Sequence, residues 1–301
     1  MMATPAVGKY HERRCEIYQR RPSGPPIDSN RPSERRRGVV RPAPRERMRE
    51  TLAALAAGEI SIATAEARLA GYASGEAGRF DAAREARSGV PEAVFAEGKT
   101  TDEIHELLAL ALETTGRGLA TRIGDDTAAT VRDRLADDWP AAEIDYDERA
   151  NVLRVRTADF EPPVLEATVG IVTAGTVDAG PAGEAAAVVG AMGATVERYD
   201  DVGVAGVHRL FDELDELRDM DVLVVAAGRE GALPTVIAGL VDIPVIALPT
   251  DSGYGYGGEG EAALAGALQS CTALTTVNVD AGFVAGAQAG LIAQTLDEAR
   301  K

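Results

Sequence analysis

One cysteine stands out among the residues that could do chemistry. Cys271 follows a predicted helix and precedes the predicted strand TTVNVD, while the only other cysteine, Cys15, lies in a basic N-terminal stretch. A thiolate is a strong nucleophile, although an isolated cysteine is commonly a small buried hydrophobe. Two cysteines this far apart predict neither a disulfide framework nor a zinc site. The ionisation state of Cys271 is left open by the sequence.

Two loops after predicted strands carry further candidates. The loop AGTVDAGPAGE places Gly175, Thr176 and Asp178 before a helix N-terminus, where backbone amides and the helix dipole favour a phosphate. The loop DVGVAGVHRL contains His208, next to Val207, which we expect to face the core. A histidine there suits acid–base work or ligand contact, or is simply a residue of the first helical turn. Both interpretations of His208 remain open.

Two glycine-rich loops follow the next two strands. AAGREGALP contains Gly228, Glu230 and Gly231, whose glycines would let a ligand approach the backbone. LPTDSGYGYGGEG contains Ser252, Gly253, Tyr254 and Gly255. Beside three other ligand-type loops, this one is predicted to be a phosphate cradle or a mobile cover.

The elements that position these loops alternate between strand and helix from Ala167 onward. Five apolar strands are predicted, ATVGIVTAG, TVERY, DVLVVAAG, IPVIALP and TTVNVD, separated by helices that include Gly258 to Cys271. One helical face is expected to hold Val207, Leu210, Phe211, Leu214 and Leu217. This alternation predicts an α/β fold with a doubly wound, flavodoxin-like parallel sheet of five strands. Ligands bind such sheets beyond the carboxyl ends of the strands.

The preceding residues predict a smaller α+β domain. Helical periodicity begins near Met48, a helix starts at Thr101, and two short strands lie between Ile144 and Arg156. We therefore predict three parts: a disordered basic extension over 1–47, an N-terminal α+β domain over 48–160, and a C-terminal catalytic domain over 161–301. A wrongly assigned start, with Met48 as the true initiator, would also explain the extension.

The charge is distributed unevenly along the chain. The first 47 residues carry 12 Lys and Arg against 5 Asp and Glu, and since the whole chain is at −17, the remainder is at −24. A body this acidic repels polyanions, so no nucleic-acid partner is expected for it, although the basic arm alone could bind one. Few lysines and many carboxylates also suit a protein that works in concentrated salt.

No apolar run is long enough for a membrane span or a secretory signal. We therefore expect a cytoplasmic protein without a membrane partner.

Taken together, the loop sequences resemble one enzyme superfamily. GTVDAG, GVAGVHRL, GREGALPTVIAGLVDIPVIALPT, SGYG and SCTALTTVNVDAGF are similar to the aminoimidazole-ribonucleotide carboxylase (PurE-like) superfamily. More closely, they resemble its LarB family, the pyridinium-3,5-biscarboxylic acid mononucleotide synthases of nickel-pincer cofactor biosynthesis. Phe80–Thr100 resembles that family's N-terminal region, so the match runs from about Met48 to Lys301.

The resemblance implies a reaction and its partners. Nicotinic acid adenine dinucleotide would be carboxylated with CO2 on its pyridinium ring through a covalent adduct with Cys271, and its phosphoanhydride hydrolysed to release AMP. No tightly bound cofactor is implied, and Mg²⁺ on the pyrophosphate would assist hydrolysis by neutralising phosphate charge. The metal requirement stays unknown. A homo-oligomer, an octamer by resemblance, is also implied.

The resemblance assigns roles to individual positions. His208 matches the histidine of a Ser-Ala-His-Arg motif, and Asp178 matches the acid of a Gly-Thr-Ser-Asp motif. Proton transfer, sugar contact and metal binding remain open for Asp178 and Glu230. The implied substrate-binding residues are Gly175, Thr176, Arg209, Gly228, Gly231, Ser252, Gly253, Tyr254 and Gly255.

Some positions depart from the pattern, among them Arg229, which stands where a methionine is usual. For Arg84, Arg87 and Lys99, contact with the dinucleotide's phosphates competes with simple surface ion pairs. Two other functions remain open: a purine-pathway carboxylase or mutase that does not need Cys271, and a non-catalytic nucleotide-binding module.

Overall fold

The structure is a computed structural model that describes residues 44–301, without the side chains of 44–47 and Ala63. Most of the predicted basic extension, including Cys15, therefore lies outside the described residues. The helices are α1 Pro44–Ala56, α2 Ile62–Ala70, α3 Arg84–Ser88, α4 Thr101–Thr115, α5 Asp125–Asp138, α6 Ala179–Ala191, α7 Val207–Asp212, α8 Leu214–Arg218, α9 Ala232–Ala238, α10 Glu261–Leu268 and α11 Gly282–Arg300. The strands are β1 Ala73–Gly75, β2 Gly78–Phe80, β3 Val94–Phe95, β4 Arg117–Thr121, β5 Glu143–Asp147, β6 Val152–Arg156, β7 Thr168–Thr173, β8 Thr195–Tyr199, β9 Val222–Ala227, β10 Val245–Pro249 and β11 Thr275–Thr276.

The N-terminal half is a small α+β unit. Its four-stranded sheet has the order β3-β4-β6-β5, and α4 and α5 pack on one face over buried side chains such as Ile104 and Leu135. Helix α4 begins with a reciprocal capping box, in which Thr100 Oγ1 accepts from the Glu103 amide and the Glu103 carboxylate accepts from the Thr100 amide. The helix start predicted at Thr101 is confirmed.

The C-terminal half is the predicted parallel sheet. Its strand order is β11-β10-β9-β7-β8, and every neighbouring pair is parallel. Counted from the β8 end of the sheet, the strands of this half come in the order 2-1-3-4-5 of their sequence, which is the flavodoxin-like arrangement. Strand β9 is buried at every position because both of its faces are covered by helices. The predicted fold class is confirmed.

Helices α6 and α11 pack side by side on one face of this sheet, in close contact along a line of glycines. A Cβ atom at Gly286 would lie 2.4 Å from the Ala185 carbonyl oxygen, and one at Gly282 would lie 2.2 Å from the Pro181 carbonyl oxygen. Larger residues would push the two helices apart, so the glycines are required by packing.

The two halves share a buried contact. Val152 of β6 packs with Val188 of α6 and Phe283 of α11 in one apolar cluster. Arg117 of β4 adds a hydrogen bond to the Ala191 carbonyl oxygen at the end of α6. No helix within residues 44–301 is long and apolar enough to cross a membrane.

Two details of the predicted helices are wrong. The single helical face expected from Val207 to Leu217 is broken at Glu213 into α7 and α8, which leaves Val207 39% and Phe211 53% exposed. The helix expected to continue to Cys271 ends at Leu268. In both cases the spacing of the apolar residues predicted a longer helix than the structure has. Each helix ends with a polar C-cap residue, although the apolar spacing continues beyond it.

Candidate active site

The carboxyl edge of the sheet is organised around Asp178. This side chain is only 3% exposed, and it accepts hydrogen bonds from the Gly175 amide at 2.8 Å, Thr250 Oγ1 at 2.5 Å and Ser252 Oγ at 2.9 Å. Three donors satisfy the oxygens of this buried carboxyl group. The loops after β7 and β10 are therefore joined through one acid.

Gly228, in the loop after β9, completes this cluster by making room for it. A Cβ atom at Gly228 would lie 1.9 Å from Ser252 Oγ and 2.8 Å from Thr250 Oγ1. The structure thus brings together four of the predicted residues, Gly175, Asp178, Gly228 and Ser252. Thr250 was not among the residues predicted from the sequence. It could have been recognised as a hydroxyl residue that directly follows the buried strand β10.

The chain turns away from this edge through residues with left-handed backbone. Asp201, Arg229 and Asp280 follow β8, β9 and β11 with φ values of +61°, +50° and +52°. Non-glycine residues rarely adopt this conformation, and it recurs at functional sites. Gly231 is also left-handed at +61°, and a Cβ atom there would lie 2.8 Å from Ala263 Cα, so it must be glycine.

His208 and Arg209 lie apart from the Asp178 cluster. Both belong to α7, where His208 is exposed and Arg209 forms an ion pair with Asp201 at 2.5 Å. Because Val207 is also exposed, the expectation that it faces the core and turns His208 sideways is wrong. No hydrogen bond joins His208 to Asp178 in the described part of the chain.

The loops after β9 and β10 meet through an exposed pair. The Arg229 guanidinium carbon lies 4.4 Å from the centre of the Tyr254 ring, and hydrogen bonding with this guanidinium, together with its positive charge, lowers the pKa of the Tyr254 phenol. Glu230, next in sequence, has an exposed side chain, while its carbonyl oxygen would lie 2.7 Å from a Cβ atom at Gly266 of α10.

Cys271 is exposed and lies between α10 and β11. Its neighbour Ser270 is hydrogen-bonded to Thr235 of α9 at 3.1 Å. Because β11 is parallel to β10 and Thr275 pairs with Ile246, the chain passes Cys271 before it enters the strand. The thiol is therefore on the amino-terminal side of β11, whereas Asp178, Thr250 and Ser252 are beyond the carboxyl ends. The fold does not bring Cys271 into the Asp178 cluster of its own chain.

The N-terminal half also reaches the carboxyl edge, which sequence reasoning missed. Arg122, at the end of β4, donates to the Asp280 carbonyl oxygen at 2.9 Å and lies 3.6 Å from the buried Glu184 carboxylate. The carboxyl group of Asp280 accepts from the Asp251 amide, and burial is the main cause that raises its pKa. Arg149 extends to the Thr176 carbonyl oxygen.

The basic residues proposed for phosphate contact in the N-terminal half have local partners. Arg84 pairs with Glu92 at 2.9 Å, Arg87 pairs with Asp81, and the Lys99 ammonium donates to the Phe95 carbonyl oxygen. These contacts match the surface ion pairs considered as the simpler explanation. Within residues 44–301, no three His, Cys, Asp or Glu side chains are grouped to hold a metal ion.

Comparison with known proteins gives two family matches. Residues 72–157 match the LarB/PurE-like N-terminal domain, and residues 168–300 match AIR carboxylase. The uncharacterized protein MJ0165 of Methanocaldococcus jannaschii is 39% identical over 226 residues, covering 72% of this chain and 84% of that protein. The crystal structure of a PurE2 variant from Treponema denticola aligns with 46% of this chain and 96% of its own, at 16% identity and a TM-score of 0.32.

Proposed function

Because the chain belongs to the LarB-like members of the AIR carboxylase superfamily, we propose that it converts nicotinic acid adenine dinucleotide and CO2 to pyridinium-3,5-biscarboxylic acid mononucleotide and AMP. The two matched domains support a carboxylase-type function. The specific reaction is supported above all by one observation. Cys271 is exposed at the amino edge of the sheet, and the hydrogen-bonded carboxyl group of Asp178 lies at the carboxyl edge of the same sheet.

The thiolate answers a specific chemical need. A pyridinium ring is electron-poor and cannot attack CO2. When the Cys271 sulfur bonds to the ring carbon para to nitrogen, an electron pair moves to the nitrogen and an enamine-like dihydropyridine results. The adjacent carbon then attacks CO2, loses its proton to a base, and the carbon–sulfur bond breaks to restore aromaticity and the thiolate. Atoms and electrons balance without an oxidant.

The carboxyl edge suits substrate binding. Asp178 already accepts three hydrogen bonds, which leaves it poorly placed to take a proton and well placed to orient Thr250 and Ser252. We assign the proton-transfer role to His208 or Glu230, whose side chains are exposed. The loop glycines after β9 and β10 leave room for phosphates beside those hydroxyls.

The proposal requires a second copy of the chain. Within one chain Cys271 precedes β11, whereas the Asp178 cluster lies beyond the carboxyl ends of the strands, so we infer that the two meet in one site between copies of the chain. A symmetric homo-oligomer in which the Cys271 loop of one copy lies against the carboxyl edge of another would complete the site. In the proposed octamer, exposed apolar residues at that edge, including Val177, Val207 and Phe211, would be buried by such a contact.

The test is direct. The full chain is incubated with nicotinic acid adenine dinucleotide and isotopically labelled bicarbonate, and mass spectrometry follows labelled product and AMP. Cys271→Ser should lose product, whereas Gln269→Ala, which changes an exposed neighbouring side chain, should retain it. An active Cys271→Ser variant would refute the covalent mechanism.

A purine-pathway carboxylase or mutase is the second candidate, favoured by the match of residues 168–300 to AIR carboxylase. It predicts turnover of aminoimidazole ribonucleotide and indifference to Cys271→Ser. A non-catalytic nucleotide-binding module predicts binding of the dinucleotide with no turnover of either substrate.

A further inference from the structure

Arg229 is a guanidinium at the carboxyl edge without an acidic ion-pair partner among the described residues, as is Arg149, which donates to the Thr176 carbonyl oxygen. Arg198 pairs with Asp200 at 3.0 Å, and Arg209 pairs with Asp201 at 2.5 Å. Arg229 forms no ion pair with any carboxylate in residues 44–301, and it lies instead over the ring of Tyr254. Its charge is therefore available to an anionic ligand.

The position of Arg229 places that charge beside the Asp178 cluster. Arg229 directly follows Gly228, which adjoins Ser252 Oγ, and a Cβ atom at Gly253 would lie 3.5 Å from the Arg229 backbone. Ser252 donates to Asp178 and so belongs to the Asp178 cluster. Arg229 therefore lies in a loop that borders the proposed ligand site. Glu230, next in sequence, has an exposed side chain and forms no ion pair with the guanidinium, although after the larger influence of Tyr254 its charge also helps to raise the Arg229 pKa.

The backbone of Arg229 also argues against a purely structural role. Its φ of +50° is a conformation that glycine or asparagine adopts at lower cost than arginine. An arginine in this conformation lowers the stability of the folded chain. The contact it gains is with Tyr254, which is 77% exposed and so offsets little of that cost. Such a cost is typical of residues kept for function.

The chemistry of the pair points to an oxyanion. A guanidinium offers planar, paired donors that match two oxygens of a phosphate, and a tyrosine ring can hold the guanidinium plane from one side while its edge stays open. The amides of Gly253 and Gly258 in the neighbouring loop already donate to the Asp251 and Gly255 carbonyl oxygens, so these two are not free for a ligand and the guanidinium is the donor on which the proposal depends.

We propose that Arg229 binds a phosphate group of the substrate, with Tyr254 positioning its guanidinium, so that this pair determines specificity for phosphorylated ligands. The identification of that ligand as a dinucleotide rests on the proposed function, whereas the phosphate chemistry does not.

The experiment measures binding of unreactive ligands to the full chain by calorimetry. Inorganic pyrophosphate, AMP and adenosine are titrated into the wild type, Arg229→Met, Arg229→Lys and Arg229→Gly, with Arg218→Met as an exposed control that pairs with Asp215 elsewhere. Arg229→Met should weaken pyrophosphate and AMP about 10- to 100-fold and Arg229→Lys about 5- to 10-fold, because a charge-assisted bidentate contact is lost or reduced. Adenosine binding should not change, and neither should any affinity of Arg218→Met.

Arg229→Gly separates binding from folding. It relieves the left-handed strain, so it should unfold at the same or a higher denaturant concentration than the wild type while losing pyrophosphate affinity as Arg229→Met does. A spectroscopic readout is independent of affinity: pyrophosphate at Arg229 should raise the phenol pKa of Tyr254, followed by near-ultraviolet titration with Tyr254→Phe as the blank.

The outcomes are distinct from those of the proposed function. Wild-type protein that does not bind pyrophosphate, or Arg229→Met that binds it as tightly as the wild type, overturns the proposal about Arg229. Arg229-dependent pyrophosphate binding without turnover of nicotinic acid adenine dinucleotide would leave that proposal standing and reject the reaction instead.

Discussion

The two edges of the parallel sheet are built differently. At the amino edge, Asp221 accepts the Thr168 amide at 2.9 Å and pairs with Arg300 at the end of α11, so charge is neutralised where strands begin. At the carboxyl edge, the buried Asp178 is held by an amide and two hydroxyls rather than by a cation, and three strands are followed by strained residues. The ion pair at the amino edge stabilises the fold, whereas the carboxyl edge is where we propose that a ligand binds. Cys271, the proposed nucleophile, is the exception, because it lies at the amino edge.

Changing Cys271 should give the largest effect. Cys271→Ser should reduce turnover of the dinucleotide at least about a thousandfold, since a hydroxyl is a far weaker nucleophile at neutral pH. Its unfolding free energy should stay within about 0.5 kcal/mol of the wild type because the side chain is exposed. Steady-state kinetics and denaturant unfolding check both. A large loss of stability would mean that the cysteine belongs to the structural edge after all.

Changing Asp178 should affect catalysis and stability together. Asp178→Asn removes the charge that Thr250 and Ser252 share, so we expect unfolding to become easier by about 1–3 kcal/mol and kcat/KM to fall about a hundredfold. Asp215→Asn, on an exposed acid, is the matched control. If Asp178→Asn were as stable as the wild type, the carboxyl edge would not depend on this acid.

Mixing the two inactive variants tests whether one site spans two copies. Cys271→Ser and Asp178→Asn chains, unfolded together and reassembled, should recover about one quarter of the wild-type activity, because random pairing restores both residues in about one site in four. Each variant reassembled alone is the control. No recovery, with mixed oligomers demonstrated by mass spectrometry, would place both residues in the same chain's site.

The smallest effects concern pH, and they have opposite signs at the two edges. The Arg300 guanidinium lowers the pKa of Asp221, so the stability from this pair is present above the unfolded-state pKa and is lost as the pH falls through the lower folded value. Asp221→Asn should therefore lower the denaturant midpoint modestly at neutral pH, since the partly exposed Arg300 is screened by solvent, and should change it much less in acid. Denaturant midpoints measured across acidic and neutral pH check this.

Asp280 at the carboxyl edge provides the contrast. Burial raises its pKa, so its ionised form disfavours the folded state, and this cost appears as the pH rises through the range between the unfolded and folded values. Asp280→Asn should be neutral or stabilising at neutral pH while keeping an acceptor for the Asp251 amide. A loss of stability comparable to that of Asp221→Asn would erase the difference between the edges.

The fold could be predicted from sequence because alternation and burial agree along the chain. Continuous apolar strands such as β9, separated by helices, leave few alternatives to a covered parallel sheet. Residues of one loop were also predictable as neighbours, as Gly175 and Asp178 are.

The site was less predictable, because its geometry depends on contacts between loops. Nothing local indicates that Thr250 donates to an acid 72 residues earlier in the chain, or that Arg122 reaches Asp280. The position of Cys271 follows from topology, since the chain leaves the carboxyl edge after β10 and must return to the amino edge before β11 begins. The sequence motif around Cys271 does not contain this information, which comes from the arrangement of the strands.

The glycine line between α6 and α11 has a consequence for how the enzyme can change over time. Helix α6 starts immediately after Asp178. A larger residue that pushes α6 and α11 apart would therefore also move Asp178. Substitutions at Gly282 or Gly286, which lie against Pro181 and Ala185 in the helix pair, would then degrade the geometry of the carboxyl edge. The region that must resist mutation is therefore wider than the set of residues that meet substrate, and it extends across the back of the sheet.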